Sequence, residues 1–257
     1  MRVCRRGMML IAVAVAGLAT AVLAGPPAAA GQAVARSVSH CIEVTATIPL
    51  AKASGGIAVN PKTNTVYATN GGHQVIVISG QTNTVVSTIS VGRNAGSVAV
   101  NPATNTIYVG NSRDGTISVI NGQTRTVVAT IPIGGDEAQI AVNPATNTIY
   151  VPHLFANTVS VINGQTNTVT ATIPVAQFPE SAVVDPKTDT IYVTNQWVSP
   201  GPNGSVAVLN GQTNKPLATI PGGVAPFGVA ADPNTNRAYV VNDGGPISVS
   251  VLGPCRQ

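Results

Sequence analysis

The stretch NPATNTIYVGN at residues 101–111 returns as NPATNTIYVPH at residues 143–153. The same turn stands as NPKTNT at 60–65, DPKTDT at 185–190 and DPNTNR at 232–237, so its successive spacings are 41, 42, 42 and 47 residues. A repeat of fixed period decides an architecture before any local propensity does. All five tyrosines keep the spacing, at Tyr67, Tyr108, Tyr150, Tyr192 and Tyr239, each inside an alternating pattern such as TIYV. A second turn follows them, as SGQTNT at 79–84, NGQTRT at 121–126, NGQTNT at 163–168 and NGQTNK at 210–215. Each unit therefore reads as four short strands, of SVAV, TIYV, ISVI and TVTATIPV type. Their β-branched content and the Asn, Gly and Pro punctuation favour strands over helices.

Four strands per unit of about 42 residues predict an all-β chain folded as a single β-propeller of five four-stranded blades over residues 41–257. After the inner and middle strands of the fifth unit the chain reaches Leu252-Gly253-Pro254-Cys255, where a fourth strand should begin. The missing strand stands at the other end, because VTATIP at 44–49 is identical to VTATIP at 169–174. The last blade is thus expected to be closed by the N-terminal strand. Superposing these strands puts Cys255 on the position of Gln165 and Cys41 on that of Thr166, and so predicts a Cys41–Cys255 disulfide.

Tyr192-Val193-Thr194-Asn195, with YATN at 67–70, YVGN at 108–111, YVPH at 150–153 and YVVN at 239–242, resembles the repeat of the YVTN β-propeller family. The resemblance covers residues 41–257. It implies a bacterial or archaeal surface or secreted protein, in a family whose members carry about seven blades against the five counted here. It transfers no single activity, since fold does not fix function.

Charged residues make up 9% of the 257-residue chain, against roughly 25% in ordinary soluble domains. The formal charge of +4 owes three charges to Arg2, Arg5 and Arg6, and without them ten basic residues face nine acidic ones. Nucleic acid and anionic membrane lose their electrostatic argument. Residues 1–30 have a basic start, an apolar run from Met8 to Leu23 and small residues after it, the build of a secretory signal peptide. The run is short for a membrane span, so no stable insertion is expected after leader removal. Cleavage after Ala24, Ala30 or Ala35 fits, with Ala30 preferred, and residues 31–40 form a short linker. Arg5-Arg6-Gly7-Met8-Met9 also resembles a twin-arginine signal, so both that route and the Sec route stay open. Residues 38–40 do not look like a lipobox. The exported protein keeps Cys41 and Cys255 in a compartment where a disulfide persists.

The two repeated turns lie on one face of such a ring. The other face carries connections that differ between blades: GGHQ at 71–74, SRDG at 112–115, LFAN at 154–157 and QWVSPGPNG at 196–204. Unlike loops on a repetitive frame are where recognition resides. Trp197, His153, Phe155 and Arg113 are the ligand-binding candidates there, weighed against Trp197 anchoring its own loop, a surface His153 without function, and drift of unused loops. The tyrosines and the Asn-Pro and Asn-Gly turns read as structural. His40, His73 and His153 have no zinc spacing and no Asp/Asn ladder suggests calcium, so neither metal nor cofactor is expected. Asp114, Asp136, Glu137, Glu180 and Asp243 also fall on the variable face. The leading expectation is a secreted, non-enzymatic binding or scaffold module for a cell-wall, carbohydrate or protein ligand. The alternatives are a small lactonase-like hydrolase or lyase, which needs His153 or His73 within hydrogen-bond reach of an acidic partner, and a structural surface-layer component.

Overall fold

A computed structural model describes residues 44–50, 55–196, 203–244 and 246–254. Cys41, Trp197 and Cys255 lie outside the described residues, as do the leader and the linker. Residues 44–47 carry no secondary structure.

From Ile57 onward the described chain forms antiparallel sheets in sequence order. The first contains β1 (Ile57–Asn60), β2 (Thr65–Thr69), β3 (Gln74–Ser79) and β4 (Thr84–Ser90). The second contains β5 (Ala95–Asn101), β6 (Thr106–Asn111), β7 (Thr116–Asn121) and β8 (Thr126–Pro132). The third contains β9 (Ala141–Asn143), β10 (Thr148–His153), β11 (Thr158–Asn163) and β12 (Thr168–Pro174). The fourth contains β13 (Pro179–Asp185), β14 (Thr190–Asn195), β15 (Asn203–Asn210) and β16 (Lys215–Val224). The fifth sheet has β17 (Pro226–Asp232), β18 (Arg237–Asn242) and β19 (Ser248–Leu252).

The expected fourth strand is absent from the described part of the fifth sheet. Pairing stops at Leu252 because Gly253 weakens a strand and Pro254 has no N–H for a ladder. Residues 44–50 take no strand conformation, and Pro49 and Leu50 lie beside Asn70, Gln74, Ile76, Val85 and Thr88 of the first sheet.

Apolar side chains pack between consecutive sheets. In the TIY triplet the tyrosine faces the following sheet and the isoleucine faces the preceding one. Tyr67 therefore packs with Ile107, Tyr108 with Ile149, and Tyr150 with Ile191, each pair inside one buried cluster. Middle strands covered on both faces lose their polar alternation, and Ile107 to Asn111 is buried without a break. The outer strands β4, β8 and β12 each bury a single isoleucine, Ile89, Ile131 and Ile173. A register shift recurs between Val77/Ile78, Val119/Ile120, Val161/Ile162 and Val208/Leu209, the bulge that adds twist at the same point of four sheets. Tyr192 and Tyr239 are only half-buried. At the position of Ile107, Ile149 and Ile191 the fifth sheet carries the smaller Ala238.

The two turn families meet, and their shared face follows from contact. The last Asn or Asp of the first turn is left-handed, at Asn64, Asn105, Asn147, Asp189 and Asn236, with φ of 49–53°. In the second turn that conformation falls on Asn83, Arg125, Asn167 and Asn214. The glycines of the second turn do not take it. They are there for space, because a Cβ on Gly80, Gly122, Gly164 or Gly211 would land on the side chain of Asn64, Asn105, Asn147 or Asp189.

Candidate functional site

Two concavities occupy the opposite side and the middle of this frame. The first, of about 550 Å³, is lined by Gly71, Gly72 and His73, by Arg93 and Asn94, by Ser112 and Arg113, and by Asp136. These residues come from both kinds of variable connection, those after the second strand and those after the fourth, which puts both on one face as the sequence suggests. Asp114 is drawn to the neighbouring sheet's connection: Arg93 Nε donates to its Oδ1 at 2.6 Å and the Arg93 backbone N–H to its Oδ2 at 2.7 Å. Those Arg93 hydrogen bonds, the backbone one first, hold the Asp114 carboxyl below the usual carboxylate range. The adjacent Arg113 keeps its guanidinium exposed at the cavity.

His153 corrects the expectation of a surface histidine, being 4% exposed. Its Nδ1 lies 3.0 Å from the Gly135 carbonyl and its Nε2 lies 2.8 Å from Ser160 Oγ. A carbonyl only accepts, so Nδ1 carries a proton, and in the neutral ring Nε2 accepts from the serine hydroxyl. This is the task of Asn111, whose Nδ2 donates to Ser118 Oγ at 3.0 Å, and of Asn242, which reaches Ser250 Oγ at 2.8 Å. The histidine fastens the end of its strand as the asparagines fasten theirs. Phe155 is 64% exposed and meets the ring of Phe178 edge-on, with centroids 6.2 Å apart. Phe178 was not singled out in the sequence; its φ of 54° is unusual for a bulky residue, and its N–H donates to Asn157 Oδ1 at 3.0 Å. Phe155 and His153 do not line the cavity that holds Arg113.

The second concavity, of about 390 Å³, lies where the inner strands converge. Residues from all five sheets or their entries line it: Gly56 and Ile57, Ser97 and Val98, Glu137 and Gln139, Glu180, and Phe227. Glu137 and Glu180, expected on the variable face, belong here. The register identifies what is unusual. Ala95 pairs with Asn111, Pro179 with Asn195 and Pro226 with Asn242, and the residue in that place in the third sheet is Glu137, opposite His153. A position that holds a buried Ala or Pro in three other sheets thus holds a carboxylate. The adjustment is at Gly110, where the other second strands carry Thr69, Pro152, Thr194 and Val241. A Cβ on Gly110 would strike Ser97 Oγ and Glu137 Cγ. Burial pushes the Glu137 carboxyl up to about 7, with its own backbone N–H opposing and Asp136 adding to the rise. Burial raises Glu180 as well. Glu137 Oε2 and Ser97 Oγ are buried without a hydrogen-bond partner. In sequence the five repeats carry Ser54, Ala95, Glu137, Pro179 and Pro226 at this position.

Solved structures resemble this arrangement. A hydrazine synthase structure from Kuenenia stuttgartiensis superposes with a TM-score of 0.68 at 18% identity, over 82% of this chain and 69% of that one. The fold is propeller-like. A structure of U3-55K matches this propeller-like chain with a TM-score of 0.66 at 12% identity, over 80% of this chain and 62% of its own. A functionally unknown protein from Desulfotomaculum acetoxidans matches at 0.68 and 16%, over 79% and 66%. The propeller-like chain spans about two thirds of the length of these structures, and the likeness concerns fold alone. No family model matches the chain. No curated protein matches it either.

Proposed function

We propose that this is a secreted, non-enzymatic binding or scaffold propeller of YVTN type that presents its variable face to a cell-wall, carbohydrate or protein ligand. The observation that carries the reading is the cavity of about 550 Å³ built from unlike loops, with His73, Arg93, Arg113 and Asp136 at its wall, opposite a face of nearly invariant turns. The enzymatic alternative, a lactonase-like hydrolase or lyase, needs His153 or His73 within hydrogen-bond reach of an acidic partner. His153 instead bonds to a carbonyl and a hydroxyl, and His73 shares the wall of the larger cavity with Asp136.

The same proposal includes five blades and a ring completed in cis, with residues 44–49 as the fourth strand of the fifth sheet. Three observations support it. VTATIP is identical to the stretch that forms most of β12. Val249 and Val251 of β19 are 57% and 56% exposed, and Val59 of β1 is 54% exposed, so the terminal sheets carry bare apolar side chains. Pro49 and Leu50 already lie beside the first sheet.

The test is retention of the mature protein on cell-wall fractions and immobilised glycans. Arg113→Ala and His73→Ala should each weaken retention tenfold or more, and Trp197→Ala should do the same if its loop joins the surface. Loss of retention on changing the NGQT turns, with these three variants unaffected, would place recognition on the other face.

A further inference from the structure

The cavity at the convergence of the inner strands stands apart from the variable-face reading, and its chemistry is one-sided. Two carboxylates, Glu137 and Glu180, line it, and no lysine, arginine or histidine is among its lining residues. Among the described residues the ion pair formed is Arg93–Asp114, which includes neither glutamate. Gln139 is engaged at its oxygen, since Ser181 Oγ donates to Oε1 at 2.8 Å. Glu137 Oε2 accepts nothing, and the neighbouring Ser97 hydroxyl is likewise buried and unpartnered. A buried acceptor without a donor is costly, and the repeat shows it to be dispensable for folding, because three other sheets hold Ala95, Pro179 and Pro226 in that place. The remaining wall is apolar, with Ile57 and Phe227 exposed at 69% and 49% beside Val98.

We infer that this cavity binds an alkylammonium group, its N–H donors meeting Glu137 and Glu180 and its hydrocarbon lying on Ile57, Val98 and Phe227. A protonated amine supplies both the positive charge and the donors that the site lacks, and charge-assisted hydrogen bonds to carboxylates are the stronger kind. The aromatic ring of Phe227 suits a cation and its adjoining methylenes equally. Gly110 is the residue that makes room: the glutamate reaches inward only because no Cβ stands there. The group is carried by free amines and by the lysine of a peptide.

The test is calorimetric titration of the mature protein with n-hexylamine, with n-hexanol and hexanoate as equal-length controls, and with Nα-acetyl-lysine methylamide as a peptide-like arm. Hexylamine should bind at least tenfold more tightly than either control, and binding of the lysine derivative would assign the site to peptide side chains. Glu180→Gln and Glu137→Gln should each weaken hexylamine tenfold or more, while Phe227→Ala weakens amine and alcohol alike. Circular dichroism checks that each variant is folded, and Glu180→Gln serves if Glu137→Gln is not. Equal affinity for hexylamine and hexanol, or amine affinity unchanged in a folded Glu180→Gln protein, would overturn the inference.

Discussion

Asn60 donates from its side-chain amide to the side-chain oxygen of Asn105 at 2.8 Å, joining the same turn of two consecutive sheets. Its own oxygen accepts the Lys62 N–H at 3.1 Å, which decides which end of the amide is nitrogen. Asn101 repeats the contact to Asn147 at 2.7 Å, and Asn143 to Asp189 at 2.7 Å. The Asn of NPxTN is therefore a link between sheets as well as a turn former. The series stops at Asp185, which is 1% exposed and has no amide to donate to Asn236.

Replacing Asp185 by Asn should extend the series by one link. The new side chain keeps an acceptor for the Lys187 N–H, now bonded at 2.9 Å, and adds the missing donor. A net gain of about 0.5–1.5 kcal/mol is expected. The converse change, Asn101→Asp, should cost about 1–3 kcal/mol by setting a carboxylate against the Asn147 oxygen. Thermal unfolding of the two variants checks both signs, and a loss of stability in Asp185→Asn would sink the account.

Glycine in the second turn is required for space. Gly122→Ala would push a methyl group onto the Asn105 side chain and break the contact with Asn60, at a cost of about 1–3 kcal/mol. Gly228→Ala meets nothing within 4 Å and should be nearly neutral. Urea midpoints that fall equally in both variants would show that glycine acts there through chain flexibility instead.

The buried carboxyl makes stability depend on pH in a defined window. Glu137 ionises at about 7 in the folded protein against an ordinary 4.5, so the unfolded chain releases its proton first as pH rises. Its contribution is complete below pH 4.5 and lost as pH rises through 7. Asp114 and Asp232, whose carboxyls are lowered, act in the opposite direction and only at the acid end. Glu137→Gln cannot ionise, and should match the parent near pH 4 and exceed it near pH 8. The excess should be about 1–2 kcal/mol, since partial exposure screens the charge. Denaturation curves at the two pH values should differ by that pattern, and a constant difference would exclude it.

The proposed closure is tested through its cysteines. A Cys41–Cys255 bridge would close a loop from residue 41 to residue 255, and the chain-entropy relation gives about 5 kcal/mol for so long a loop before strain is subtracted. Cys255→Ser should lower the melting temperature clearly and should make the oxidised and reduced proteins alike. Two thiols titrating in the native protein would rule the bridge out.

Much of this architecture was legible because it rests on local rules repeated in register. The period of NPATNT and the alternation in TIYV each follow from strand geometry and turn chemistry, which act over a few residues. The same locality explains what the sequence concealed. Gly122 and Asn105 are 17 positions apart, and only packing shows that the glycine is needed for room. His153 looked like a surface departure because its partners, Gly135 and Ser160, lie on the neighbouring entry and strand and reach it only in the folded sheet. Glu137 and Gly110 are individually unremarkable residues. Their meaning appears when two sheets stack and the space left by a missing Cβ receives a carboxylate. Sequence by itself determined the units, their faces and their order, since a strand's pattern is written in its own residues. The tertiary structure alone decided which polar groups are satisfied, because burial and hydrogen bonding depend on neighbours that the chain brings from elsewhere.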